Sequence, residues 1–227
     1  MKGDLLRIDL HVHSAYSEDA KGLPKEIIKY AIKKGLNGLS ITDHNSVKGS
    51  LEAMKIKPKD FIIIPGIEIS TREGHLIALG IKRDIKRDLS VEETIELIID
   101  EGGVPIVPHL FRTGTGLKRK NLDRIRDKIP AIEVFNSCSM SRSNRAIERI
   151  ARELGLGGTG GSDAHEPSFV GYGYTTIDNT DLSIDSLLSE IERKRTWGHG
   201  EIIPLKTRGK RMIKSVVQFF ERGLRRI

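Results

Sequence analysis

Five of the seven histidines in this chain stand just past the end of a short apolar run. Leu5–Leu10 leads into His11-Val12-His13, Gly38–Thr42 into Asp43-His44, Val104–Pro108 into His109, and Gly157–Ser162 into Asp163-Ala164-His165. A fifth run, Phe61–Ile67, ends in Glu68. Such runs, alternating with segments of helical period, predict an α/β fold with a largely parallel sheet. Imidazole and carboxylate delivered from successive strand ends predict a barrel mouth lined with metal ligands.

The elements between the runs are legible. Pro24 opens a helix whose apolar face is Ile27, Ile28, Ala31 and Ile32, and Gly35 stops it. A short helical stretch follows from Val47 to Lys55, then the β-branched segment Phe61–Ser70, then Gly74–Ile81, a strand able to pair with its predecessor. Ser90 and Glu93 form a capping box ahead of a helix that ends at Gly102-Gly103. Val104–Val107 and Ala131–Phe135 read as strands flanking the polar stretch Arg112–Lys128. Ser143–Leu154 reads as a helix, Leu156–Gly161 and Tyr172–Ile177 as strands, and Ser183–Arg193 as a helix. A single domain over residues 1–200 is expected, with a basic extension over 201–227. In that extension Lys210–Ile227 places Ile213, Val216, Val217, Phe220 and Leu224 on one helical face.

Composition narrows the partners. The formal net charge is +7, but from Arg193 to Ile227 there are 11 Lys and Arg against 2 acids, so the basicity belongs to the tail. Such a patch can contact RNA, or it can be a solvated surface. No apolar stretch approaches the ~20 residues needed to span a bilayer, so no membrane contact is expected. A lone cysteine, Cys138, excludes an intramolecular disulfide, and Met1–Asp4 starts no apolar signal region. These features predict a cytoplasmic protein.

In a strand, residues i and i+2 share a face, so His11 and His13 can converge on one ion, and Asp163 with His165 repeats the spacing. Adjacent strands would bring the two pairs together. Nitrogen and oxygen donors without thiolate suit Zn²⁺, Mn²⁺ or Fe²⁺. Gly157–Gly161 resembles a phosphate-cradling loop but lacks the Lys-Ser/Thr ending, so tight packing explains it better. Gly-x-Ser-x-Gly does not occur, which removes the usual serine nucleophile elbow.

The segments Asp9–Ser14, Ile41–His44, Gly66–Glu68, Pro108-His109 and Gly161–His165 resemble, in order, the motifs of the polymerase-and-histidinol-phosphatase (PHP) family of phosphoesterases. The resemblance covers about residues 6–180. It implies a distorted (β/α)7 barrel with two or three divalent ions at its strand ends. Carried over by position, it implies that His11 and His13 hold one ion with Asp163 beside it. Glu68 would bridge two ions, with His75 and His109 serving the second and His44 and His165 the third. The ligand expected soon after the HxH is either Glu18 or Asp19, with Asp19 favoured. Asp43, next to a ligand, would orient an imidazole. Arg112 and Arg142 would grip phosphoryl oxygens. Cys138 is read as inert packing and His199 as structural.

The expected chemistry is attack on phosphorus by a hydroxide bridging the ions. The expected substrates are nucleotides, such as 3′,5′-bisphosphates or short RNA ends. A histidinol-phosphate phosphatase is the alternative. From another class comes an RNA-binding accessory subunit that uses the basic tail.

Overall fold

The computed structural model describes residues 5–56, 58–179 and 181–204. The first half runs β1 (Leu6–Val12), α1 (Pro24–Lys33), β2 (Gly38–Ile41), α2 (Lys48–Met54), β3 (Ile62–Ile63), β4 (Gly66–Ser70), β5 (His75–Leu79) and α3 (Val91–Asp100). The second runs β6 (Val104–Val107), α4 (Arg119–Ile125), β7 (Ala131–Asn136), α5 (Ser141–Leu154), β8 (Gly157–Gly161), β9 (Gly173–Ile177), α6 (Ile184–Glu192) and β10 (Thr196–Gly200). The amphipathic helix expected over 210–227 lies outside the described residues, as does most of the 201–227 extension.

The α/β class holds, but the expected (β/α)7 barrel is corrected. The strands form two five-stranded sheets, ordered β10-β9-β1-β2-β3 and β4-β5-β6-β7-β8, rather than one closed ladder. Nor is the architecture largely parallel: β1–β9, β9–β10, β4–β5 and β5–β6 are antiparallel. Only four residues join β4 to β5, too few for a parallel crossover. The expected strand Phe61–Ser70 splits into β3 and β4 around Pro65, which has no N–H to give a ladder.

Where a closing ladder would run beside β8, side chains intervene. Thr175 on β9 bonds both the N–H and the carbonyl of Gly160, at 2.9 and 3.0 Å. The Thr196 hydroxyl on β10 donates to Gly158 O at 2.9 Å. These hydroxyls satisfy an edge that backbone pairing would otherwise use. The two sheets instead meet at isolated bridges, Val12 with Ala164 and His44 with Glu68. Val12, His44 and Ala164 lie at or just past the C-terminal ends of β1, β2 and β8, while Glu68 is the middle residue of β4.

Leu6, Ile8, Leu10, Ile77, Leu79, Val104 and Ile106 fill the space between the sheets, and Leu187, Leu188 and Ile191 of α6 close it from below. The outer faces pack separately. Ile27, Ile28 and Ala31 of α1 cover the first sheet, while Val91, Ile95 and Ile98 of α3 cover the second. The Ser90–Glu93 capping box is formed as expected. α4 and β10 were not foreseen: α4 begins amid a polar stretch with no side-chain cap, and β10 carries Gly198 and Gly200.

Candidate metal centre

Two strand irregularities aim the site's side chains. On β1 the register slips between Asp9 and Val12, so His11 and His13 can face the same interior that Leu6, Ile8 and Leu10 fill below them. On β7 a slip between Glu133 and Phe135 does the same, allowing Glu133 and Asn136 to point together. Bulges of this kind turn a strand by one residue and gather at functional sites. Gly161 on β8 permits the close approach: a Cβ there would sit 2.3 Å from His11 Cβ and 2.8 Å from Glu133 Oε1.

All nine sequence-predicted ligands come together, and Glu68 is their centre. Its Oε1 lies 2.9 Å from His75 Nδ1 and 2.8 Å from His109 Nε2. Its Oε2 lies 3.1 Å from His44 Nδ1, 3.3 Å from His13 Nε2 and 3.5 Å from His11 Nε2. Asp163 Oδ1 stands 3.8, 3.6 and 3.5 Å from His11, His13 and His165. Asp19 Oδ2 lies 2.9 Å from His165 Nε2 and 3.8 Å from His44 Nε2, whereas Glu18 is exposed at the surface. Of the two acids weighed, Asp19 therefore faces the cluster. Arg142 does not join it: the residue is exposed in the first turn of α5, and no hydrogen bond or ion pair links it to the cluster among the described residues. His199 lies apart on β10, exposed beside Tyr174.

The residues fit divalent ions on three counts. Four ligand triads have donor atoms within 4.8 Å of one another: His11-His13-Asp163, His11-Glu68-His109, His44-Glu68-His75 and His13-His44-His165. The Nε2 atoms of His11 and His13 stand 3.2 Å apart, close to the ~3.3 Å edge of a tetrahedron with metal–nitrogen bonds of about 2.05 Å. Buried polar atoms without a hydrogen-bond partner include His109 Nδ1 and Asp19 Oδ1, and such atoms are costly unless something supplies them.

Groups absent from the sequence reading hold the ligands in place. Glu133, buried in β7, accepts from His11 Nδ1 at 2.9 Å through Oε1. Through Oε2 it accepts from the His109 N–H at 2.8 Å and from Asn136 Nδ2 at 2.9 Å. Ser17 Oγ donates to Asp43 Oδ1 at 3.0 Å, accepts from the His44 N–H at 2.9 Å and lies 3.4 Å from His13 Nδ1. Asp43 thus reaches His13 only through Ser17, while the Ser14 N–H and hydroxyl donate to its two oxygens at 2.6 and 2.7 Å. Both arrangements favour His11 and His13 as Nδ1–H tautomers with Nε2 toward the cluster. Asp9 accepts from the Ser162 N–H at 2.9 Å and the Gly171 N–H at 2.8 Å, tying β1 to the segments that follow β8. Asn45, held at φ 54°, clamps Ser70 at the end of β4. A lone acid inside an apolar run, as in Ala131–Phe135, was the available signal for Glu133, since a buried charge needs partners.

Arg112 gives Nη1 to Asp163 Oδ2 at 2.6 Å and Nη2 to Asn136 Oδ1 at 2.9 Å. Its guanidinium is therefore fixed at the rim. Cys138 Sγ packs against the carbonyls of Ser162 and Asp163 at 3.6 and 3.4 Å.

Protonation follows from these contacts. Burial alone would lower His11, but Glu133, Asp163 and Glu68 hold it well above the ordinary value. Burial lowers His13 well below that value, and the neighbouring His165 and His44 add to the effect. Burial would raise Glu68 and Asp19, yet the surrounding imidazoles hold both far below the carboxylate range. Burial raises Asp9 to about 6 against its hydrogen bonds.

His109 falls from 6.5 to about 4, through burial and then the Arg112 charge. Between those values the unfolded chain binds a proton at His109 that the folded chain refuses, so His109 withdraws stability from the metal-free protein as pH falls from 6.5 to 4, against the opposite contribution of Asp9. That gap is worth about 3 kcal/mol. Urea unfolding of the metal-free wild type and of His109→Asn at both ends of the window should show the wild type losing about this much more stability than the variant. Parallel pH dependences for the two proteins would refute the assignment.

Known proteins are similar to this chain in sequence and in fold. The PHP domain model matches residues 9–106 and the PHP-associated model residues 141–196. The uncharacterized protein MJ1587 of Methanocaldococcus jannaschii is 35% identical over 163 residues, spanning 66% of this chain and 94% of that protein. A 5′-3′ exoribonuclease of Haemophilus influenzae is 28% identical over 113 residues, 48% of this chain and 41% of that one. Among solved structures, a two-domain Bacteroides vulgatus protein containing a predicted PHP-like metal-dependent phosphoesterase superposes with a TM-score of 0.74. It shares 18% identity over 87% of this chain, which spans 65% of its length. With the ordered motifs, the ligand cluster and a relative covered almost end to end, the chain belongs to the PHP family.

Proposed function

We propose that this protein is a metal-dependent phosphoesterase acting on nucleotide phosphates, 3′,5′-bisphosphates or short RNA ends among them. One observation carries the reading: four overlapping ligand triads, two of them containing the buried Glu68, consist wholly of nitrogen and oxygen donors. The exoribonuclease relative and the phosphoesterase described in the Bacteroides structure support the same class.

His11, His13, Asp19, His44, Glu68, His75, His109, Asp163 and His165 would hold two or three ions of Zn, Mn or Fe. Bound there, such ions supply Lewis acidity, which acidifies a water and neutralises charge on phosphoryl oxygens. The chain's own residues do the rest. Glu133 and Ser17 keep two imidazoles in one tautomer and one orientation. Arg112, already paired to Asp163 and Asn136, presents guanidinium N–H groups at the rim for a non-bridging oxygen. In the overall reaction, water adds to phosphorus, the ester P–O bond breaks, and the alcohol leaves with a proton. Among the described residues no helix is long and apolar enough to cross a membrane.

Metal analysis of the purified protein should find Zn, Mn or Fe. Phosphate release should appear with a nucleotide panel that includes 3′,5′-bisphosphates, and should exceed that from histidinol phosphate. The double substitution His11→Ala with His13→Ala should remove both metal and turnover. A metal-free sample with undiminished activity would defeat the reading.

A further inference from the structure

Phe111 combines two unfavourable placements. Its φ of 68° lies in the left-handed region, where the Cβ of an L-residue crowds its own backbone. Asn45, Asp60, Asp88 and Asp163 also stand at positive φ, but their short polar side chains tolerate it, whereas a bulky ring does not. The ring is also 46% exposed, while its neighbour Leu110 is buried in the core behind the second sheet. Burial, the usual reason to keep a phenylalanine, is only half provided here.

The turn that imposes this conformation is firmly held. The Arg112 N–H donates to His109 O at 3.0 Å, the Phe111 N–H to Leu117 O at 3.2 Å and the Gly116 N–H to Arg112 O at 2.8 Å. Gly116 lets the two limbs touch, since a Cβ there would stand 2.2 Å from Arg112 N and 2.8 Å from Phe111 N. Strained residues fixed in this way gather at binding and catalytic sites. This turn joins two parts of the metal centre. His109, two residues before Phe111, reaches Glu68, and Arg112, the residue after it, reaches Asp163 and Asn136. The loop after the neighbouring parallel strand β7 exposes Met140, four residues beyond Asn136. Two adjacent loops thus each expose a large apolar side chain beside the Arg112 guanidinium's anchors.

We infer that Phe111 is a specificity-determining residue, its ring stacking on the nucleobase of a substrate whose phosphate is held between Arg112 and the imidazole cluster. The inference rests on the phosphoesterase reading and deepens it, since it names the base as the group recognised outside the metal centre. A phosphate at the guanidinium leaves the organic part of its ester within reach of the adjoining side chain. A base offers a flat π face to an exposed ring, and such stacking tolerates any base. A protein partner would need a broader apolar patch than two side chains provide.

The test replaces Phe111 by Asn, which suits the left-handed backbone, and by Tyr, which keeps a stacking ring. Calorimetry on the full chain as purified compares two phosphonates. One is the analogue of adenosine 5′-monophosphate in which a methylene replaces the ester oxygen, and the other is methylphosphonate, which has no base. The ratio of the two affinities should fall at least about fivefold in Phe111→Asn, the lower end of what one base–aromatic stack contributes. In Phe111→Tyr it should stay near the wild-type value. The urea midpoint of Phe111→Asn should be no lower than that of the wild type, because relief of the strained backbone offsets the lost ring. With the nucleotide panel, the loss should fall on KM more than on kcat. A wild type that binds the two phosphonates equally overturns the inference. So does a Phe111→Asn protein with an unchanged ratio, or one whose midpoint falls while both affinities drop together. Base-dependent binding that Phe111→Asn weakens, in a chain that hydrolyses no ester, would uphold the stack and sink the phosphoesterase reading.

Discussion

Replacing Glu68 by alanine is expected to abolish turnover, by at least about a thousand-fold, together with at least one equivalent of bound metal. Five of the predicted ligands, His11, His13, His44, His75 and His109, lie within 3.5 Å of its two oxygens. Its charge also offsets that of the imidazoles packed around it, which is why its own proton affinity is so low. Glu68→Gln keeps the size and one acceptor but removes the charge, and should lose metal nearly as completely. Metal analysis, circular dichroism and phosphate release on the same samples check this. A folded Glu68→Ala protein with full metal content would contradict the assignment of Glu68 as the shared carboxylate.

The second large effect is expected at Glu133. Truncation to alanine leaves the His11 Nδ1–H, the His109 N–H and Asn136 Nδ2 without their acceptor inside a closed core. Orphaned buried donors cost about 1–3 kcal/mol each, so Glu133→Ala should destabilise the metal-free protein by about 3–5 kcal/mol. Metal affinity should fall roughly 10- to 100-fold, because an imidazole freed of its outer partner loses tautomer and orientation. Glu133→Gln should fall between the two. Its amide nitrogen must face either His11 or the His109 N–H, and each is a donor in this arrangement. Urea midpoints and competition with a metal chelator measure the two effects separately. An alanine variant that keeps both stability and affinity would reduce Glu133 to a bystander.

Much of the site was legible because its signals are local. His-x-His at a strand end needs only the two-residue repeat of extended chain to share a face. Asp-x-His repeats that spacing, and both pairs converge on the same space. Asp19 competed with Glu18 in the sequence because adjacent acids in a loop have no fixed period to separate them. Burial separates them, leaving Asp19 against His165 and Glu18 in solvent. Arg142 illustrates the opposite failure. It follows the right strand, but α5 begins at Ser141 and leaves it exposed.

The partners of the ligands were not legible. Glu133 sits in the apolar strand Ala131–Asn136, 122 residues from the imidazole it holds. Ser17 belongs to a loop whose hydroxyl could equally have faced water. The sheet arrangement escaped for a related reason: the residues keeping the edge of β8 from a closing ladder are the hydroxyls of Thr175 and Thr196.

From sequence alone came the α/β class, the ordered strand ends and the donor atoms delivered there, since each depends on period and spacing within a few residues. Only the tertiary structure decided the two separate sheets, the slips on β1 and β7 that aim His11 and Asn136, and the buried acids that lock the imidazoles. Those depend on which distant strands pair and in what register, and a one-residue slip turns a strand's side chains to its other face.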